Sequence, residues 1–186
     1  MRHVKTRFTA VAFIAVGLLG LWSAFKSGKE EQAKTETDPH FVDAFIRDFT
    51  MTQMDATGKP AYVLQASYLE HYNDTQVSVI TKPKLNIADA KTKWKISAMQ
   101  GNIDRDGTWL ELSDDVVMQQ TDTPSPIRLE TSQLRINTAT HTAMTNRMVN
   151  IHHDRQQITS RGMEYNSRSG TLEFRTHVRG TYDLGG

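Results

Sequence analysis

The sequence predicts an all-β domain carried behind one apolar N-terminal helix. Three observations lead there. After residue 40, apolar and polar residues alternate in short runs. Turn-forming clusters separate those runs at regular intervals. No stretch beyond residue 40 keeps apolar residues at helical spacing for three capped turns.

Residues 1–7 hold Arg2, Lys5 and Arg7 and read as a short basic cytoplasmic tail. Residues 8–25, FTAVAFIAVGLLGLWSAF, carry no charge over 18 positions. At about 1.5 Å per residue such a helix reaches roughly 27 Å, close to the ~30 Å hydrocarbon core of a bilayer. A secretory signal shares this outline but needs small residues at the cleavage site. Cleavage after Ala24 or Gly28 would leave Trp22 or Lys26 at the second of those positions, so the segment reads as a retained transmembrane helix. The basic flank before it favours a cytoplasmic N-terminus, with the rest of the chain across the membrane. Gly17 and Gly20 are either ordinary membrane-helix composition or a small-residue face for helix packing; their spacing is not GxxxG.

Residues 26–38, KSGKEEQAKTETD, mix charges without apolar periodicity and form a solvated tether. Residues 39–186 are enough for one domain with a core. The chain has 22 basic and 21 acidic residues; six and four of these precede Pro39, leaving sixteen and seventeen in the domain. Near-neutrality argues against a nucleic-acid binder, which needs a basic field. With no cysteine, neither disulfides nor thiol chemistry is possible.

The alternating runs are AYVLQASY, QVSVI, PKLNI, KWKISA, TWLELS, VVMQQ, PIRLE, SQLRIN, RMVNIHH and TLEFRTHV. Turns separate them at 55–58, 72–74, 104–107, 123–126 and 167–170. This spacing fits a sandwich, barrel or solenoid. A faint repeat runs through it. LELSDDV (110–116) recurs 62 residues later as LEFRTHV (172–178), with Ala143, Thr145 and Val149 at matching positions between them. A unit of about 30 residues fits two strands and a turn, stacked on its neighbour. Such stacking leaves an open strand edge at each end.

No catalytic, metal or cofactor site emerges. SGKEEQ lacks the upstream glycine of a phosphate-cradling loop, and neither HExxH nor GxSxG occurs. His152 and His153 are adjacent, so on a strand they point to opposite faces and cannot readily share a metal. The same alternation separates Asp114 from Asp115. Asn73-Asp74-Thr75 fits a glycosylation sequon, and equally a plain turn. A membrane-tethered hydrolase is therefore disfavoured.

One stretch carries a family likeness. In GKPAYVLQASYLEHYNDTQVSVITKPKLNI, a G-x-x-x-Y-x-L-x-A start (Gly58, Tyr62, Leu64, Ala66) precedes a Pro-bearing strand (Pro83, Leu85). A W-x-I-x-A strand (Trp94, Ile96, Ala98) and two units with the outline of L-x-G-x-V follow. This order resembles the LptC family, inner-membrane-anchored components of the lipopolysaccharide export machinery. The glycine of the last motif is missing from both copies, where Asp114 and Thr176 stand. Asp tolerates a left-handed backbone better than most residues, whereas β-branched Thr does not.

The resemblance implies a twisted, partly open β-jellyroll, V-shaped, of two antiparallel sheets. Its interior would be a groove for acyl chains, lined by Phe49, Met51, Tyr62, Leu64, Ile80, Leu85, Ile96, Leu110, Leu112, Ile136, Val149 and Phe174. Phe49 and Ile80 stand at positions that match lipid-contacting ones in the family. The first strand, with Phe41, Phe45 and Phe49, would meet the jellyroll of an inner-membrane ABC transporter resembling LptB, LptF and LptG. The last strands, with Leu172, Phe174, Thr176, Val178 and Tyr182, would meet an LptA-like soluble bridge. The implied protein is non-enzymatic: it receives lipopolysaccharide and passes it on, driven by the partner ATPase. The rival reading is a membrane-anchored scaffold that recruits the bridge without touching lipid.

Overall fold

The structure, a computed structural model, describes residues 41–182 apart from 56 and 89–91. The expected membrane helix at 8–25, with Gly17 and Gly20, and the tether at 26–38 lie outside the described residues. Among the described residues no helix is long and apolar enough to cross a membrane.

Among the described residues eleven strands follow in order: β1 (Val42–Met54), β2 (Pro60–Tyr72), β3 (Ser78–Thr81), β4 (Lys84–Ala88), β5 (Lys93–Ser97) and β6 (Gln100–Ile103). Then come β7 (Trp109–Gln120), β8 (Arg128–Asn137), β9 (Thr142–His153), β10 (Gln156–Asn166) and β11 (Thr171–Tyr182). All pair antiparallel in one sheet that follows the chain from β1 to β11 with little reordering. β3 and β4 form one path broken at Lys82-Pro83, where proline cannot donate to a ladder. β5 and β6 form the next path, broken at Ala98-Met99, and both pair with β7. The two sheets implied by the resemblance are thus two halves of a single, continuously paired sheet.

A seam of irregular backbone divides those halves. Asp48 in β1, Lys82 after β3, Asp114 and Asp115 in β7, Gly162 in β10 and His177 in β11 all have positive φ. Register shifts fall at Ser113/Val116, Thr131/Arg135, Arg161/Met163 and Thr159/Arg161. Bulges bend a strand and increase its twist, so a row of them folds the sheet along one line. Hydroxyls bind carbonyls along this line. Ser67 donates to the Thr81 carbonyl at 3.1 Å and Thr131 to Met148 at 2.9 Å. Buried Ser160 donates to Gly162 at 3.0 Å, and Thr176 to Arg161 at 3.1 Å.

The seam accounts for two departures from the sequence reading. The runs at 108–113 and 116–120 join into β7, and those at 126–130 and 132–137 into β8, because a bulge interrupts the alternation without ending the strand. The second repeat copy also avoids a left-handed threonine: His177 takes the positive φ, and the Thr176 hydroxyl ties the bulge. The repeat has a plain structural origin. β7, β9 and β11 all run the same way, and each unit is one out-and-back pair of strands across the seam.

Inward side chains line up row by row across the strands. In the half containing β4 and β5, one row runs Met51–Leu64–Leu85–Ile96–Met118–Leu129–Ile151–Ile158–Gly180 from β1 to β11. In the half containing β3 and β6, another runs Ile103–Leu110–Ile136–Ala143–Tyr165–Leu172. Leu64, Ile96, Leu112, Leu129, Leu134, Met163 and Val149 are almost wholly buried between the halves. Burying a side chain of this size contributes roughly 1.5–3 kcal/mol each, so these rows hold the folded sheet closed.

Candidate functional site

Away from the seam the two halves do not fill the space between them. A cavity of about 790 Å³ opens there, within the ~300–1,000 Å³ typical of ligand sites. One wall comes from Met51, Tyr62, Leu64, Leu85 and Ile87, the other from Ile103, Leu110, Ile136, Ala143 and Tyr165. Polar groups sit at its rim, among them Asp55, Asn137, His141 and Arg168. Burial raises the Tyr62 phenol above its ordinary value. Asp55 is held down instead: its carboxylate accepts from the Thr57 hydroxyl and amide at 2.7 Å and the Lys59 amide at 3.0 Å. These bonds set the β1–β2 turn at the cavity mouth.

Of the twelve residues expected in a groove, six line this cavity: Met51, Tyr62, Leu64, Leu85, Leu110 and Ile136. Ile80, Ile96, Leu112 and Val149 lie deeper, fully buried in the packed core. Phe49 and Phe174 are half-buried against that core on the two terminal strands. Sequence reasoning missed Ile87, Ile103, Met118, Ala143 and Tyr165. Ile87 and Met118 share parity with residues already chosen, so alternation within their runs was a usable signal. Tyr165 gave none, because β10 reads as no clear alternating run.

Tyr165, which lines the cavity, is held from behind by a contact with a distant strand. Trp94 of β5 donates its indole N–H to the Tyr165 hydroxyl of β10 at 2.9 Å, and the rings meet edge-on with centroids 5.2 Å apart. Both side chains are buried. β5 and the Tyr165 end of β10 lie in opposite halves, and the two strands are not neighbours in the sheet.

β1 pairs only with β2, and β11 only with β10, so each leaves one edge unpaired among the described residues. Eight of the ten large exposed hydrophobics lie on or beside these two strands, against two elsewhere. Phe41, Phe45, Ile46 and Met54 mark the first edge, Val178 and Tyr182 the second. The strands carry neither proline nor lysine, the usual guards of a bare edge. Phe45 and Phe49 fall on opposite faces. Ile46 pairs with inward Leu69 and Phe49 with inward Ala66, so Asp48 shifts the parity between them. Phe45 instead sits outside beside Tyr68, with the Arg47 guanidinium 5.8 Å and 5.7 Å from the two ring centres. On β11, Leu172 and Phe174 face inward opposite Tyr165 and Met163, and Thr176 stands at the bulge. Ile158 opposes Gly180, so Val178 and Tyr182 continue the inward face to the edge.

Asp114 and Asp115 are exposed bulge residues, and His152 and His153 lie at the end of β9. Among the described residues no group of three His, Cys, Asp or Glu converges on a metal position.

Residues 9–183 match a family described as lipopolysaccharide-assembly, LptC-related. The chain belongs to the LptC family. No curated protein matches its sequence. Among solved structures it is similar to LptH of Pseudomonas aeruginosa, the LptA-homologous periplasmic component of a lipopolysaccharide transport device. That likeness has a TM-score of 0.52 at 9% identity and covers 66% of this chain and 94% of LptH. At such identity it concerns the fold alone. This LptC-family chain therefore shares an antiparallel LptA-like fold, and its family ties it to lipopolysaccharide transport.

Proposed function

We propose that this protein is a non-enzymatic carrier within the lipopolysaccharide transport device, anchored in the inner membrane by residues 8–25 with its β domain in the periplasm. The folded sheet acts as a partly open, V-shaped jellyroll, and acyl chains lie in its cavity. The observation that carries this reading is an apolar cavity continuous with inward rows that reach both bare edges. Each buried methylene contributes about 0.8 kcal/mol, enough to keep a chain out of water while it moves.

The edges supply the route. A bare edge accepts a strand from another protein, extending both the sheet and its apolar face. β1 is proposed to dock the jellyroll of an ABC transporter (LptB/LptF/LptG-like) and β11 an LptA-like bridge. Lipopolysaccharide then passes from the β1 side to the β11 side.

Photo-crosslinking residues at Met51 and Tyr62, with outward Lys95 as control, test the lipid half of the proposal in exporting cells. Lipid adducts are expected at the first two and not at Lys95. Bridge binding with no adduct at either inward position would leave only the scaffold reading.

A further inference from the structure

We propose that Trp94 and Tyr165 form a clasp across the groove, which acyl chains must part to travel from the β1 side to the β11 side. The inference rests on the lipid-groove reading and concerns what lies along that groove.

Trp94 pairs with Ile87 and Gln120, one residue from the end of the β4–β5 hairpin. Tyr165 pairs with Ala143 and Leu172, one residue from the end of β10. Both therefore stand near the strand ends, away from the seam, where the halves would otherwise be free to separate. Tyr165 lines the cavity, with Met51 and Tyr62 on one side. Leu172 and Phe174, one strand beyond Tyr165, are half-buried and outside the cavity. The contact joins residues 71 apart in sequence, while the sheet's own ladders join near neighbours.

Its chemistry suits a closure that opens. The contact across the halves includes a neutral hydrogen bond and an edge-on ring contact, each worth only about 1 kcal/mol. The Trp94 indole N–H is buried and costly to leave without its acceptor, so the open state is disfavoured until something occupies it. An acyl chain replaces the ring contacts but not the hydrogen bond. The clasp should thus hold lipid on the β1 side and admit it beyond only when the groove is loaded.

The test uses the full-length chain in detergent with purified lipopolysaccharide. Photo-crosslinkers at Met51 and at Phe174 report the two sides, and fluorotryptophan in place of Trp94 is read by fluorine NMR. Lipopolysaccharide should move the Trp94 resonance. Tyr165→Phe keeps the ring and removes the acceptor. It should raise the Phe174-to-Met51 adduct ratio about fivefold, the change that loss of one ordinary hydrogen bond produces. Trp94→Phe, which removes the donor, should raise the ratio likewise and covers the case of a poorly folding Tyr165 variant. A strong Met51 adduct with a fixed resonance and unchanged ratios overturns the clasp and leaves the groove standing. Absence of adducts at both sites removes the groove reading and the clasp with it.

Discussion

Replacing Gly162 by alanine tests whether the seam folds the sheet. Gly162 has φ +84°, a conformation that costs an ordinary residue about 1–2 kcal/mol. An added Cβ would lie 3.1 Å from Arg175 Cδ and 3.3 Å from the Thr145 carbonyl oxygen. The arginine's Cδ can swing away, but its Cβ, 3.3 Å off, moves only with β11. The carbonyl belongs to β9 and moves only with its strand, which adds to the cost. Alanine also restricts the unfolded chain, returning about 0.4–1 kcal/mol. The net loss is about 1–2 kcal/mol, or roughly 3–6 °C in Tm for a domain of this size. Thermal unfolding followed by circular dichroism measures it. Asp114→Gly is the control. Asp already tolerates the left-handed region, so that change should stay within about 0.5 kcal/mol. A Gly162→Ala protein melting at or above the wild-type temperature would refute the strain argument.

Other outcomes follow from the same geometry. Ser160→Ala leaves the buried Gly162 carbonyl without its hydroxyl partner and should lower stability by about 1–3 kcal/mol in urea titrations. Ile151→Ala removes a buried side chain from the long apolar row and should cost about 2–5 kcal/mol by the same measurement. The Asp55 carboxyl is held below its ordinary 3.8, so its stabilisation is complete above that value and lost as pH falls through the lower folded one. Asp55→Asn, which lacks that carboxylate stabilisation at every pH, should lower neutral stability slightly and flatten the acid limb of the pH–stability curve. Val178→Glu with Tyr182→Glu alters exposed residues only; the domain should melt as wild type while losing capture of an LptA-like bridge in pull-downs.

The strands were legible because period-two alternation survives wherever one face is buried, as in β2, β5 and the start of β7. The seam was not, since its residues, Gly162 apart, are ordinary Asp, Lys and His whose backbone angles no pattern announces. Missing glycines at Asp114 and Thr176 pointed to the right places, and only the structure showed that His177 takes the strained angle. The lining of the cavity was half legible for a related reason. Alternation tells inside from outside but not depth, so fully packed Ile80 and cavity-lining Leu110 read alike. The Trp94–Tyr165 contact joins residues from separate runs and was beyond any local pattern.

The near-sequential strand order has a consequence for how the molecule is made. Nearly every ladder joins segments close in the chain, so loop-closure entropy stays small at each step and pairing can advance hairpin by hairpin. The sheet can therefore grow in register from its N-terminal side as the polypeptide arrives. The bond from Trp94 to Tyr165 requires β10 and comes late. Its formation therefore marks a stage at which nearly the whole domain is in place.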